Sequence, residues 1–74
     1  MTLPAVSGQA LVKALAKAGY DVDHMTGSHA ILLKKTPPQA RVSVPLHKEI
    51  AKGTLRAIMR QTGLTHEKLF GLLR

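Results

Sequence analysis

The sequence predicts an α+β domain: a helix, three antiparallel strands, a second helix and a short third helix, with the helices layered on one face of the sheet. Three observations carry that expectation. Apolar residues recur at helical spacing in Leu11, Leu15 and Ala18, and again in Leu55, Ile58, Met59 and Thr62. Between these stretches lie apolar runs that alternate, or are too short for a helix. Each periodic stretch is bounded by residues that start or stop a helix.

The first helix is expected from about Gly8 to Ala18, with Ser7 as N-cap and Gly19 just past its end. Val12 and Ala14 flank its buried stripe, and Lys13 and Lys17 stand one turn apart on the wet side. Tyr20 to Met25 alternates as a first strand, Thr26-Gly27-Ser28 supplies a turn, and His29 to Lys34 is an apolar second strand. Thr36-Pro37-Pro38-Gln39 cannot continue a ladder, because proline lacks the N–H donor, so it reads as the loop into a third strand, Arg41 to Val44. Pro45 ends that strand. The second helix is entered through Gly53-Thr54 and stopped by Gly63, and Thr65 can cap the short last helix carrying Leu69, Phe70, Leu72 and Leu73.

With 74 residues the chain is expected to form one domain over 1–74, its first six residues loose. A domain this small removes only about 60% of its unfolded surface from water. It has no cysteine, so neither disulfides nor thiolate-held zinc can reinforce the core, and that usage suits a reducing compartment. No apolar run approaches the ~20 residues that span a bilayer, and Met1 to Val6 lacks the features of a secretory leader; the reading is cytoplasmic. Eleven Lys and Arg against four Asp and Glu give a net charge of +7. Such a field attracts polyanions, nucleic acid first, with an acidic protein or membrane surface behind it.

Histidine is the side chain that takes and gives a proton most readily near neutral pH, and the chain has four. His29 opens the second strand directly after the turn and shares a strand face with Ile31 and Leu33, opposite Ala30 and Leu32. Two apolar sets leave open which face meets the helices. If Ala30 and Leu32 point inward, His29 lies on the open face; otherwise it is an ordinary strand histidine with a satisfied hydrogen bond. His47, on the loop after Pro45, is a candidate second proton donor or phosphate contact, the bland alternative being a solvated loop histidine. His24 is expected on the strand face of Tyr20 and Val22, and His66 on the surface.

Lys48, Lys52, Arg56 and Arg60 recur at four-residue spacing with no glutamate interleaved on that face, which predicts a basic surface from the loop into the second helix. Gly53 is expected to interrupt, leaving Arg56 and Arg60 as the helical members. Backbone donors near Thr54 would add a phosphate site at the helix start. Metal-dependent cleavage would need clustered carboxylates, and the chain offers Asp21, Asp23, Glu49 and Glu67, of which Asp21 and Asp23 share a strand face; no metal or other cofactor is expected. Ser28 and His29 are neighbours and are not expected to pair. Tyr20 and Phe70 are too few aromatics for a base-stacking platform.

Gly27-Ser28-His29 before an apolar strand, Val44-Pro45-Leu46-His47, Lys52-Gly53-Thr54-Leu55-Arg56-Ala57-Ile58 and the closing Gly63-Leu64 follow one another at distances that resemble the HicA toxin family from about Gly8 to the end. The lysine-bearing helix ending in Ala18-Gly19-Tyr20 fits as well. The resemblance implies a double-stranded-RNA-binding-domain-like fold and a type II toxin, an mRNA interferase that cleaves messenger RNA without a metal ion. The family's essential histidine falls on His29. It also implies a neighbouring acidic antitoxin, HicB-like, that covers this histidine and the basic surface. One position departs: His24, followed by Met25, stands where the family often has a basic residue. The reading is therefore an endoribonuclease with His29 as general base and Lys48, Lys52, Thr54, Arg56 and Arg60 on the RNA. The alternatives are a non-catalytic RNA-binding module of the same fold and a domain that binds only an acidic protein. A homodimer through the third strand's edge is left open.

Overall fold

The structure, a computed structural model, describes residues 5–34, 36 and 40–74. It contains α1 (Gly8–Lys17), β1 (Tyr20–Thr26), β2 (His29–Lys34), β3 (Arg41–Pro45), α2 (Lys52–Thr62) and α3 (His66–Leu73). The strands form one antiparallel sheet in the order β1-β2-β3, so the expected α+β architecture is present. Most of the expected proline loop, and the first four residues of the end expected to be loose, lie outside the described residues.

Local chemistry sets the helix ends where the sequence predicts them. The Ser7 hydroxyl accepts from the Ala10 N–H at 3.1 Å to cap α1, and the Thr65 hydroxyl accepts from the Lys68 N–H at 3.2 Å to cap α3. Gly63 closes α2 in the left-handed conformation, with its N–H on the Met59 carbonyl. One expectation fails here, because Gly53 does not interrupt α2. The helix already begins at Lys52, with Ala51 as an N-cap that offers no side-chain hydrogen bond. A glycine costs a helix backbone conformational entropy, and the full cost applies to the interior rather than to an end turn, which is held by fewer intrahelical hydrogen bonds.

Register decides the faces of the sheet. β2 pairs with β3 through Ala30↔Val44 and Leu32↔Val42, and all four side chains are buried in the core with Leu11, Leu15, Leu55 and Leu69. The helices therefore cover the Ala30 and Leu32 face, and His29, Ile31 and Leu33 line the open one, beside Arg41 and Ser43 of β3. Truncating any of these buried leucines to alanine costs about 2–5 kcal/mol, a large part of the ~5–15 kcal/mol that holds a domain together.

β1 corrects a second expectation. Its pairing with β2 shifts between Val22, opposite Leu32, and His24, opposite Ile31, so Asp23 is the extra residue of a bulge. That slip carries His24 off the face of Tyr20 and Val22 and onto the open face with Ile31 and His29. It also removes Asp23 from the regular alternation that would have aligned it with Asp21. Downstream of the bulge Met25, opposite Ala30, rejoins the helix-side face of Val22. Gly27 then turns the chain with φ of 52°, at the first of two turn positions between Thr26 and His29, the place where a type II′ hairpin needs glycine.

The start of α1 sits directly on the segment that leaves β3. A Cβ on Gly8 would overlap the Pro45 carbonyl oxygen and come within 2.7 Å of the Leu46 Cα. Three backbone hydrogen bonds clip the same segment. Leu46 N–H donates to the Ser28 carbonyl at 2.7 Å, Gly8 N–H to the His47 carbonyl at 2.9 Å, and Ile50 N–H to the Val6 carbonyl at 2.8 Å. Val6 is accordingly part of the core, although it falls within the end expected to be loose. Replacing Gly8 by alanine should gain well under the ~1 kcal/mol that the change brings in a helix interior, since Gly8 also lies in a first turn, and lose about 1–3 kcal/mol or more to the forced backbone shift. We expect Gly8→Ala to lower the melting temperature by several degrees, while Gly53→Ala, with open space around its would-be Cβ, leaves it equal or raises it. Thermal unfolding by circular dichroism checks both.

Candidate functional site

Two histidines from distant parts of the chain meet at the turn end of the sheet. His29 is the first residue of β2, half-buried and opposite Pro45 of β3. His47 follows two residues after Pro45 and is exposed. Because the Leu46 N–H is bonded to the Ser28 carbonyl, the chain carries its pairing one step past the end of β3 and delivers His47 beside His29. The ring centroids are 6.4 Å apart, with the planes at 69°. The Ser28 Oγ lies 3.5 Å from the His29 Nδ1. That is too long for a firm hydrogen bond, although Ser28 belongs to the turn, where strand alternation does not keep the two side chains apart.

A cleft of about 250 Å³ opens at this end, lined by Ser7, Gln9, Leu46, His47 and Lys48. It holds two of the anticipated site residues and no carboxylate. Lys52, Arg56 and Arg60 are exposed along α2, and among the described residues none of them, nor Lys48, is held in an ion pair. Lys52 belongs to the helix, so the basic series is more continuous than expected. Thr54 is the third residue of α2 and lines a different cleft, of about 330 Å³, with Arg41, Ser43 and Gln61 at the β3 edge. Among the described residues no polar or charged side chain is buried, and no three metal-ligating side chains gather into a site. His24 pairs with its neighbour Asp23 at 2.6 Å, both exposed, and a pair so open to water adds little stability.

The family model for the HicA toxin of bacterial toxin-antitoxin systems matches residues 8–64, from the first residue of α1 to just past the end of α2. The chain belongs to the HicA toxin family. No curated protein and no solved structure gives a significant match. Membership makes it the toxin side of a toxin–antitoxin pair and implies an antitoxin partner. Among the described residues no helix is long and apolar enough to cross a membrane.

Of the candidate site residues, His29, His47 and Lys48 thus lie together at one end of the sheet, while Thr54 belongs to a cleft of its own. Sequence reasoning missed Ser7 and Gln9, which reach the His47 cleft from the start of α1, and Arg41 and Ser43, which flank the open face. Arg41 and Ser43 were findable, since they alternate with Val42 and Val44 and so must oppose the core. Ser7 and Gln9 had no local signal, because their placement depends on the long-range docking of Gly8. Replacing His47 by alanine should move the ring-proton resonances of His29 through the loss of a nearby ring current. His66→Ala, whose ring lies 6.3 Å from that of Phe70, should leave them in place. Histidine-selective NMR spectra read the difference, and His29 signals indifferent to His47 would contradict the pairing.

Proposed function

We propose that this HicA-family toxin is a metal-independent endoribonuclease of the cytoplasm that cleaves messenger RNA, with His29 as general base. The observation that carries this reading is the His29–His47 juxtaposition, 6.4 Å between ring centroids, on a backbone clipped at both ends. Two imidazoles so placed can touch the same phosphodiester, one on each side of the phosphorus. Neutral His29 takes the proton of a ribose 2′-hydroxyl through Nε2, its Nδ1 being the nitrogen nearer Ser28. The 2′-oxygen then bonds to the adjacent phosphorus and the bond to the 5′-oxygen breaks. His47, or a water, protonates that leaving oxygen. The products are a 2′,3′-cyclic phosphate and a 5′-hydroxyl, and no oxidant, metal or cofactor enters the balance.

Charge supports the same assignment. The phosphorane gains negative charge as it forms, and Lys48 stands next to His47 in the cleft to offset it; removing one such donor costs on the order of 3 kcal/mol of barrier. Lys52, Arg56 and Arg60 along α2, with Thr54 and the uncapped N–H groups of its first turn, hold the flanking phosphates. The antitoxin is an acidic, HicB-like protein, because a +7 surface recruits and orients an acidic partner rapidly.

In EDTA the purified protein should cut mixed-sequence RNA. His29→Ala should lower the rate by about 10²–10⁴-fold, and His47→Ala by less, since water can replace an acid. Arg56→Ala combined with Arg60→Ala should weaken binding at every RNA sequence and flatten its salt dependence, by roughly 0.7 in log–log slope for each single-strand phosphate that is no longer neutralised. Gel assays of cleavage and filter binding across salt concentrations give these numbers. Cleavage undiminished in His29→Ala removes His29 from the mechanism, and salt-sensitive binding with intact RNA assigns the protein to non-catalytic RNA recognition instead.

A further inference from the structure

A second surface adjoins the histidine cleft and has no part in the chemistry above. It is a groove of about 330 Å³ between α1 and β1, walled by Val12, Val22, Met25 and Leu46, with Gln9 and Lys13 at its rim. Val22 and Met25 are 48% and 55% exposed, large apolar side chains left in water on the helix-side face of the sheet. The bulge at Asp23 is what puts them there together, because without the slip Met25 would turn to the open face. Exposed apolar side chains gathered in one groove mark a binding surface more often than scattered ones do.

We propose that this groove takes the face of a nucleobase flanking the bond cleaved between the histidines, a proposal that rests on the RNA reading above. Continuity is the first reason. Gln9 and Leu46 line both the groove and the His47–Lys48 cleft, so a strand whose phosphate lies at the histidines can pass over them into the groove without leaving the surface. Charge is the second. The groove has an apolar floor, a lysine at its rim and no carboxylate in its lining, which matches a nucleotide's flat base and anionic backbone. Size is the third, since about 330 Å³ lies at the low end of the range for small-molecule pockets.

The chemistry of the walls says what recognition is possible. The two aromatic side chains lie elsewhere: Tyr20 is buried at the other end of the β1–β2 hairpin, beside Lys34, and Phe70 is on α3. No ring lines the groove itself, so a base that enters it rests on a thioether and aliphatic side chains, and the polarizable sulfur of Met25 is the best of these for an aromatic ring. With so few donors and acceptors around the floor, the groove holds a base by its face and discriminates little by its edge.

The test uses the full-length His29→Ala protein, so that RNA is bound without being cut, and a set of single-stranded oligoribonucleotides with 2-aminopurine at successive positions. One position should brighten several-fold on binding, as its base leaves the stack for an aliphatic environment. Met25→Ser should abolish the brightening and Met25→Leu should retain it; an abasic residue at that position should weaken binding about tenfold. RNA that binds with salt-sensitive affinity while no position responds to Met25→Ser overturns the groove proposal and leaves the RNA reading intact. RNA that does not bind at all overturns both. If Met25→Ser leaves the RNA signals unchanged but breaks the complex with the acidic antitoxin, the groove belongs to the protein partner and the proposal is wrong.

Discussion

The close approach between the first residue of α1 and the segment leaving β3 is the constraint on which the site depends. Gly8 is buried against the Pro45 carbonyl and the Leu46 backbone, at a separation that no side chain permits. Backbone hydrogen bonds from Gly8, Leu46 and Ile50 tie that segment to α1, to the hairpin turn and to the residues before α1. Backbone bonds of this kind fix position without long side chains to immobilise, and they leave the side chains of the clipped segment free for other work. His47 and Lys48 are the side chains so freed.

The same economy explains how a small domain keeps a functional surface. Its core draws on every element, from Val6 before α1 to Leu69 of α3, and the helices cover only one face of the sheet. The open face and the turn end remain for polar residues, and the surface has a large excess of cations. Carboxylates are scarce throughout, so a phosphate approaching the histidines meets little repulsion. Idle, such a surface is a liability, which is consistent with a toxin whose family pairs it with an antitoxin.

Much of this is legible in the sequence because it is written in local chemistry. Ser7, Thr65 and Gly63 mark helix ends by hydrogen bonding and backbone preference, and the period-two pattern of Arg41 to Val44 fixes which side chains oppose the core. The position of His29 follows once the faces are known, but Ala30 and Leu32 against Ile31 and Leu33 are equally apolar. Ile31 is only 6% exposed even on the open face, where His24 and Ser43 share its rung. Strict alternation carried through β1 misplaces His24. The clue is the adjacent polar pair Asp23-His24 between Val22 and Met25, a break in phase that a bulge resolves. Gly53 misleads in the opposite direction, since its low helix propensity counts for little in a first turn. What no local pattern encodes is the meeting of His29 with His47, which depends on the pairing of β2 with β3 and on the docking of Gly8.

In the proposed mechanism the His29–His47 pair drives attack by a ribose 2′-hydroxyl on its own phosphodiester. The most direct measurement uses an RNA with one mapped cleavage site and the same strand carrying a single 2′-deoxyribose immediately 5′ to the scissile phosphate, with the ends of the products analysed. Abolished cleavage in the deoxy strand, with 2′,3′-cyclic phosphate and 5′-hydroxyl ends from the all-ribose strand, is the predicted result. Cleavage of both strands at similar rates, leaving linear phosphate ends, would mean that water or another nucleophile attacks and would contradict it.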